Sequence, residues 1–211
     1  MRDLKRHVAA ILCGGLSRRM GSDKAFLRDQ SGQLLLAQTA AKLASWFGST
    51  ILVADDPQKL APFPELSSYR AVGDLHPLTG PVGAIRTALL AQPGQTIFIL
   101  AGDQPILDLG VILQLKDLWK KSPIDIALPR HDGSIEPLYA FYGPNCAAVF
   151  ERSLAQNQLA IRRSFPFLQV KYLDLDPDAL PIGLFKNLNT PAEAQALGYQ
   201  PAPTSPKTPP N

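Results

Sequence analysis

Three short stretches hold side chains that could do chemistry together. The first runs Gly14-Gly15-Leu16-Ser17-Arg18-Arg19-Met20-Gly21-Ser22-Asp23-Lys24. Adjacent glycines let main-chain N–H groups turn toward an anion, and Ser17 adds a hydroxyl donor. Arg18, Arg19 and Lys24 supply the positive charge that a triphosphate needs. The second stretch is Gly73-Asp74, followed by Gly80-Pro81, and the third is Ala101-Gly102-Asp103-Gln104-Pro105. Asp74 and Asp103 are hard oxygen donors of the kind that magnesium prefers. Asp103 is the better metal candidate, because a carboxylate closing an apolar run has little structural purpose there. The competing reading of all three stretches is ordinary turn sequence with solvated charges.

Two familiar phosphate loops do not fit. A Walker A loop places four residues between its first glycine and Gly-Lys-Ser/Thr, whereas Gly15 and Gly21 flank five and Lys24 precedes Ala25. The dinucleotide fingerprint Gly-x-Gly-x-x-Gly is absent as well. A serine hydrolase is disfavoured, since Ser17 has no evident base. The first stretch is therefore a phosphate loop of a third kind.

The elements that must position these residues alternate. Val8 to Leu12 is an unbroken apolar run, as expected for a strand covered on both faces. Leu36, Ala40, Leu43 and Phe47 fall at helical spacing, and Gly48 makes a stop. Thr50 to Ala54 reads as a second strand and Tyr69 to Val72 as a short third. A helix with Val82, Ile85 and Leu89 on one face follows, opened by Pro81. Thr96 to Leu100 is a strand running into Asp103, Ile112, Leu115 and Trp119 mark another helix, and Ile124 to Leu128 another strand. This order predicts an α/β fold, a single-domain Rossmann-like three-layer sandwich with a mostly parallel sheet. Such sheets bind ligands at the carboxyl ends of their strands, where all three stretches lie.

The second half is less regular. His131-Asp132-Gly133-Ser134 reads as a turn into an extended segment from Glu136 to Tyr142. A helix over 145–154, a short helix over 160–165 and a strand over 169–173 follow. Thr190-Pro191-Ala192-Glu193 reads as an N-cap with proline at the first helical position. Five of the last eleven residues, from Pro201 to Asn211, are proline. The expectation is one domain over 1–200 and a disordered tail over 201–211.

Composition narrows the function classes. The chain of 211 residues is 45% hydrophobic and 18% charged, with a net charge of +3. That charge, with no basic run outside the glycine loop, argues against nucleic acid or a membrane surface as partner. Two cysteines and three histidines exclude a disulfide framework and a four-cysteine zinc site, and suit a reducing cytoplasm. No window reaches the roughly 18 apolar residues of a membrane span, and the apolar run after Arg2, Lys5 and Arg6 is too short for an export signal.

Leu12-Cys13-Gly14-Gly15-Leu16-Ser17-Arg18-Arg19-Met20-Gly21-Ser22-Asp23-Lys24 resembles the nucleotide loop of the nucleotidyltransferases of the glycosyltransferase-A-like fold. More closely, it resembles the molybdenum cofactor guanylyltransferases, whose loop reads Leu-Ala-Gly-Gly-x-Ser-x-Arg-Met-Gly-x-x-Lys. Further matches follow in order at Asp74, Gly80-Pro81, Gly102-Asp103-Gln104-Pro105, Glu136-Pro137-Leu138-Tyr139-Ala140 and Asn187-Leu188-Asn189-Thr190-Pro191. Cys13 stands where the family usually has alanine, and Gly80-Pro81-Val82-Gly83 departs from Gly-Pro-Leu-x-Gly.

The resemblance implies a reaction: GMP passes from GTP to the terminal phosphate of molybdopterin bearing molybdenum, with release of pyrophosphate. It implies that Leu12, Cys13, Gly14, Gly15, Asp74 and Gly80 contact GTP, that Lys24 meets its phosphates, and that Arg18 and Arg19 add charge. Asp103 would hold Mg2+, and Arg162, Asn187 and Asn189 would lie toward the pterin. Cofactor-delivering or molybdoenzyme-specific chaperone proteins are the partners it suggests. Two rival readings remain open at this stage: a relative using CTP or a sugar-phosphate acceptor, and a non-catalytic nucleotide or pterin carrier.

Overall fold

The computed structural model describes residues 3–13, 26–121 and 123–201. In chain order the strands are β1 (Val8–Leu12), β2 (Leu27–Asp29), β3 (Ser49–Ala54), β4 (Arg70–Gly73), β5 (Ile97–Ala101), β6 (Ile126–His131), β7 (Ser134–Ile135), β8 (Tyr139–Tyr142), β9 (Val170–Asp174) and β10 (Tyr199–Pro201). The α-helices are α1 (Leu35–Trp46), α2 (Pro81–Ala91), α3 (Leu109–Lys121), α4 (Cys146–Ala155) and α5 (Pro191–Ala196).

β1 is apolar and buried at every position because it lies inside the sheet with helices on both sides. Its side chains alternate between two cores. Ala9 and Ile11 point to the core shared with α1 and α3, where Leu36, Leu43, Ile112 and Leu115 pack. Val8, Ala10 and Leu12 point to the core shared with α2 and α4, where Val82, Ile85, Leu89 and Phe150 pack. Each fully buried side chain of this size contributes roughly 1.5–3 kcal/mol relative to exposure. The three layers expected from the alternating pattern are present.

Among the described residues the main sheet has the order β4-β3-β1-β5-β8-β6-β7, with β9 also on β6. β4, β3, β1 and β5 run parallel, with Leu12 opposite both Val53 and Ala101. Their carboxyl ends therefore come level at one edge. β8 enters antiparallel between β5 and β6.

The second half differs in detail from the sequence reading. The strand expected over 124–128 lies over Ile126–His131, and the extended segment over 136–142 is divided. Asp132 and Gly133 both take positive φ (46° and 71°), forming the turn that pairs β6 with β7. A second turn, with the Tyr139 N–H donating to the Glu136 carbonyl (3.1 Å), precedes β8. β2 and β10 form a separate antiparallel pair that the sequence reading did not anticipate. Pro201 is thus the last residue of a strand, and the rest of the expected tail, 202–211, lies outside the described residues. No helix among the described residues is long and apolar enough to cross a membrane.

Candidate functional site

The carboxyl edge is knitted by main-chain hydrogen bonds between strand ends. The Cys13 N–H donates to the Val53 carbonyl (2.7 Å), Gly102 N–H to the Leu12 carbonyl (3.0 Å) and Asp74 N–H to the Ala54 carbonyl (2.7 Å). A Cβ at Gly102 would stand 2.9 Å from the Leu12 carbonyl oxygen, so the close approach of β1 to the Asp103 turn requires glycine. Leu12 and Cys13 are 8% and 4% exposed and their side chains pack into opposite cores. Any contact of these two with a ligand therefore falls to their main chain. This explains how cysteine substitutes for alanine: its small side chain is buried, and its Sγ donates to the Ile11 carbonyl (3.4 Å).

The loop after β4 is wound onto α2. Asp74 Oδ1 accepts from the His76 N–H (2.9 Å) and from the Thr87 hydroxyl (2.9 Å), while Thr87 Oγ1 accepts from the Leu75 N–H (3.0 Å). One carboxylate oxygen of Asp74 thus organises the loop. Gly80 takes φ +67°, a left-handed conformation that suits glycine, and Pro81 opens α2 behind it. At Gly83 a Cβ would collide with Thr79 Oγ1 and lie 2.9 Å from the His76 carbonyl oxygen. The glycine displaced from the family pattern is therefore required by this loop's packing against the first turn of α2. Leu78 also takes positive φ (70°) and is 76% exposed, a strained and unpacked residue.

Asp103 is half-buried, and its carbonyl accepts from the Leu188 N–H (3.0 Å). Leu188 is fully buried in a third, small core with Leu27, Leu35 and Ala194, against which Tyr199 packs. One apolar anchor thus sets Asn187 and Asn189 beside Asp103, and the β2/β10 pair and α5 supply its socket. α5 carries a complete capping box: Thr190 Oγ1 accepts from the Glu193 N–H (3.2 Å) and Glu193 Oε2 from the N–H groups of Asn189 (2.8 Å) and Thr190 (2.9 Å). The Asn189 N–H above all holds the Glu193 carboxyl below its ordinary value.

Sequence reasoning named the two asparagines but missed Leu188, whose signal is only an apolar residue inside a polar loop. It also passed over Gln104, which is 1% exposed with its Oε1 unpaired among the described residues. Asn187 Oδ1 is likewise buried and unpaired, an acceptor suited to an N–H donor. Nearby, the His131 ring stacks on Phe185 (4.8 Å) and bonds Glu136 Oε1 (3.0 Å), and Phe185 meets Tyr139 edge-on (5.3 Å). Burial pushes the Tyr139 phenol well above its ordinary value, so it stays neutral while bonding the Asp108 main chain. Arg162 stands apart, exposed on the 3-10 helix Ile161–Phe167 that packs beside α4.

Gly14, Gly15, Ser17, Arg18, Arg19 and Lys24 lie outside the described residues. In the chain they follow β1, whose end lies at the edge just described, and precede Phe26. The donor chemistry at this edge fits magnesium: Asp103 offers carboxylate oxygens, and the ion is commonly held by one or two carboxylates together with substrate phosphates and water.

Comparison with known proteins gives the arrangement a family. Residues 9–168 match the MobA-like NTP transferase domain. A molybdenum cofactor guanylyltransferase of Syntrophotalea carbinolica is 31% identical over 188 residues, covering 86% of each chain. A probable molybdenum cofactor guanylyltransferase of Thermococcus gammatolerans is 32% identical, covering 80% of this chain and 86% of its own. The solved structure of molybdopterin-guanine dinucleotide biosynthesis protein A from Archaeoglobus fulgidus superposes with a TM-score of 0.77 at 26% identity, over 90% of this chain and 96% of that one. The match covers the three stretches of strand-end chemistry and most of the sheet that carries them, and the chain belongs to the MobA-like NTP transferase family.

Proposed function

We propose that the chain transfers GMP from GTP to the terminal phosphate of Mo-molybdopterin, releasing pyrophosphate and forming the guanine dinucleotide form of the cofactor. The relatives named for this activity support the reading. The observation that carries it is the double tie of the Gly102-Asp103 turn. Gly102 is bonded to Leu12 at the root of the glycine loop, and Asp103 to Leu188 between the two asparagines. These bonds support the reading because they bring the end of β1, the Asp103 turn and the Asn187–Asn189 segment to one edge.

The chemistry asks little of acid or base groups. The attacking phosphate oxygen of the acceptor is already ionised, so the chain's work is in-line positioning and neutralisation of charge on the α-phosphate and the departing pyrophosphate. Arg18, Arg19 and Lys24 carry the positive charge for this, and Leu12, Cys13, Gly14 and Gly15 are the residues assigned to the nucleotide. Asp74 and Gly80 border it from the loop between β4 and α2. Mg2+, when bound at Asp103, supplies further charge neutralisation on the phosphates. Asn187 and Asn189 are the residues assigned to the acceptor, where the buried Asn187 Oδ1 would accept from an N–H of the heterocycle, whereas Arg162, set apart beside α4, has no such support. Cofactor-delivering and molybdoenzyme-specific chaperones are the proposed protein partners.

Incubation with GTP, magnesium and molybdopterin should yield pyrophosphate and a guanine dinucleotide detectable by mass. Asp103→Ala should reduce turnover by at least about a hundredfold, the scale of losing a principal electrostatic contributor. Wild-type turnover in that variant would remove Asp103 from the metal site. No dinucleotide from the unmodified chain would contradict the proposed activity.

A further inference from the structure

We infer that Arg86 is a positioning residue of the nucleotide site, holding the Asp74–Gly80 loop through the ring of His76. The inference rests on the reading of that loop as a border of the nucleotide. Arg86 lies in the second turn of α2 with its side chain only 11% exposed. Its Nη1 stands 2.7 Å from His76 Nε2, and its Nη2 stands 3.0 Å from Glu151 Oε1 on α4. A guanidinium has donors and no acceptor, so the ring nitrogen must accept. His76 then carries its proton on Nδ1, in one tautomer and one orientation.

The other anchors of the loop reach α2 and the end of β3: Thr87 to Asp74 and Leu75, the bare Cα of Gly83 against the His76 main chain, and the Asp74 N–H on the Ala54 carbonyl. Arg86 alone among these ties the loop to α4 as well. Three features separate it from a plain helix-to-helix contact. Its Nε is buried and has no partner among the described residues, a cost that an apolar residue packing α2 on α4 would not incur. The loop it holds contains Leu78 at positive φ with an exposed side chain, a conformation with no packing of its own to sustain it. The guanidinium is itself paired with a carboxylate, Glu151 on α4, so the arginine meets the ring as a directed donor rather than as part of a diffuse cationic patch.

Arg86→Met keeps the length and apolar stem and removes every donor. It should raise the KM for GTP by about three- to thirtyfold, the range of coupling that residues without ligand contact exert, while kcat stays within about twofold. His76→Leu should do the same, and the double variant should be no worse than either. Arg86→Lys, with one donor group, should recover part of the loss. An unchanged KM in folded Arg86→Met protein, or additive losses in the double variant, would overturn the inference. The ring is also read without substrate: nitrogen NMR should find His76 protonated at Nδ1, and protonation at Nε2 in the unmodified chain would overturn the inference independently. Failure of the unmodified chain to use GTP, with the Nδ1 tautomer in place, would count against the proposed function alone.

Discussion

At the scale of single residues, Gly102 decides where Asp103 can stand. Its missing Cβ lets the turn approach the Leu12 carbonyl, and the atom in the way is backbone, which has little freedom to retreat. Gly102→Ala should therefore destabilise the fold by about 1–3 kcal/mol, the usual scale of overpacking, and shift the carboxylate enough to lower turnover. A denaturant midpoint equal to the parent's would show that β1 and β5 can part without strain. Gly102 and Asp103 were legible in the sequence because a glycine and a carboxylate close an apolar run. Leu188 was not, because its value comes from a socket that Leu27 and Leu35, far away in the chain, build together with Ala194. Asp74 was legible as a candidate, yet its bonds to His76 and Thr87 depend on where α2 docks, which spacing does not reveal.

At the scale of elements, unbroken apolar runs announced β1, β3 and β5, since strands buried on both faces cannot tolerate polar positions. The periodic faces of α1 and α2 were equally plain. β2 and β10 were not, being three residues each and too short for alternation to register, with a proline closing β10. The insertion of β8 between β5 and β6 was also hidden, because pairing partners are set by the whole sheet. α5 is only six residues long and depends on its cap. Thr190→Ala should cost about 1 kcal/mol of local stability and loosen the Asn187–Asn189 loop, seen as faster amide exchange at Asn189. The Glu193 carboxyl is lowered below its ordinary 4.5 in the folded chain, so its contribution is full above that value and is lost as pH falls through the folded one. Asn189 exchange that is insensitive to both the substitution and acid would refute this role for the cap.

At the scale of the whole molecule, a parallel half-sheet brings the ends of β1, β3, β4 and β5 level, and an antiparallel half carries the chain round to the acceptor loop. The Leu188–Asp103 and Gly102–Leu12 bonds join the two halves of the proposed reaction at one edge. The choice of base separates the proposed guanylyl transfer most sharply from the rival reading with CTP. The most direct measurement is pyrophosphate release with molybdopterin and magnesium, run in parallel with GTP and CTP. A nucleotide site built around guanine should favour GTP in kcat/KM by at least about a hundredfold, because the polar groups that read one base go unpaired with the other. Equal use of the two, or a preference for CTP, would contradict the proposed guanylyl transfer.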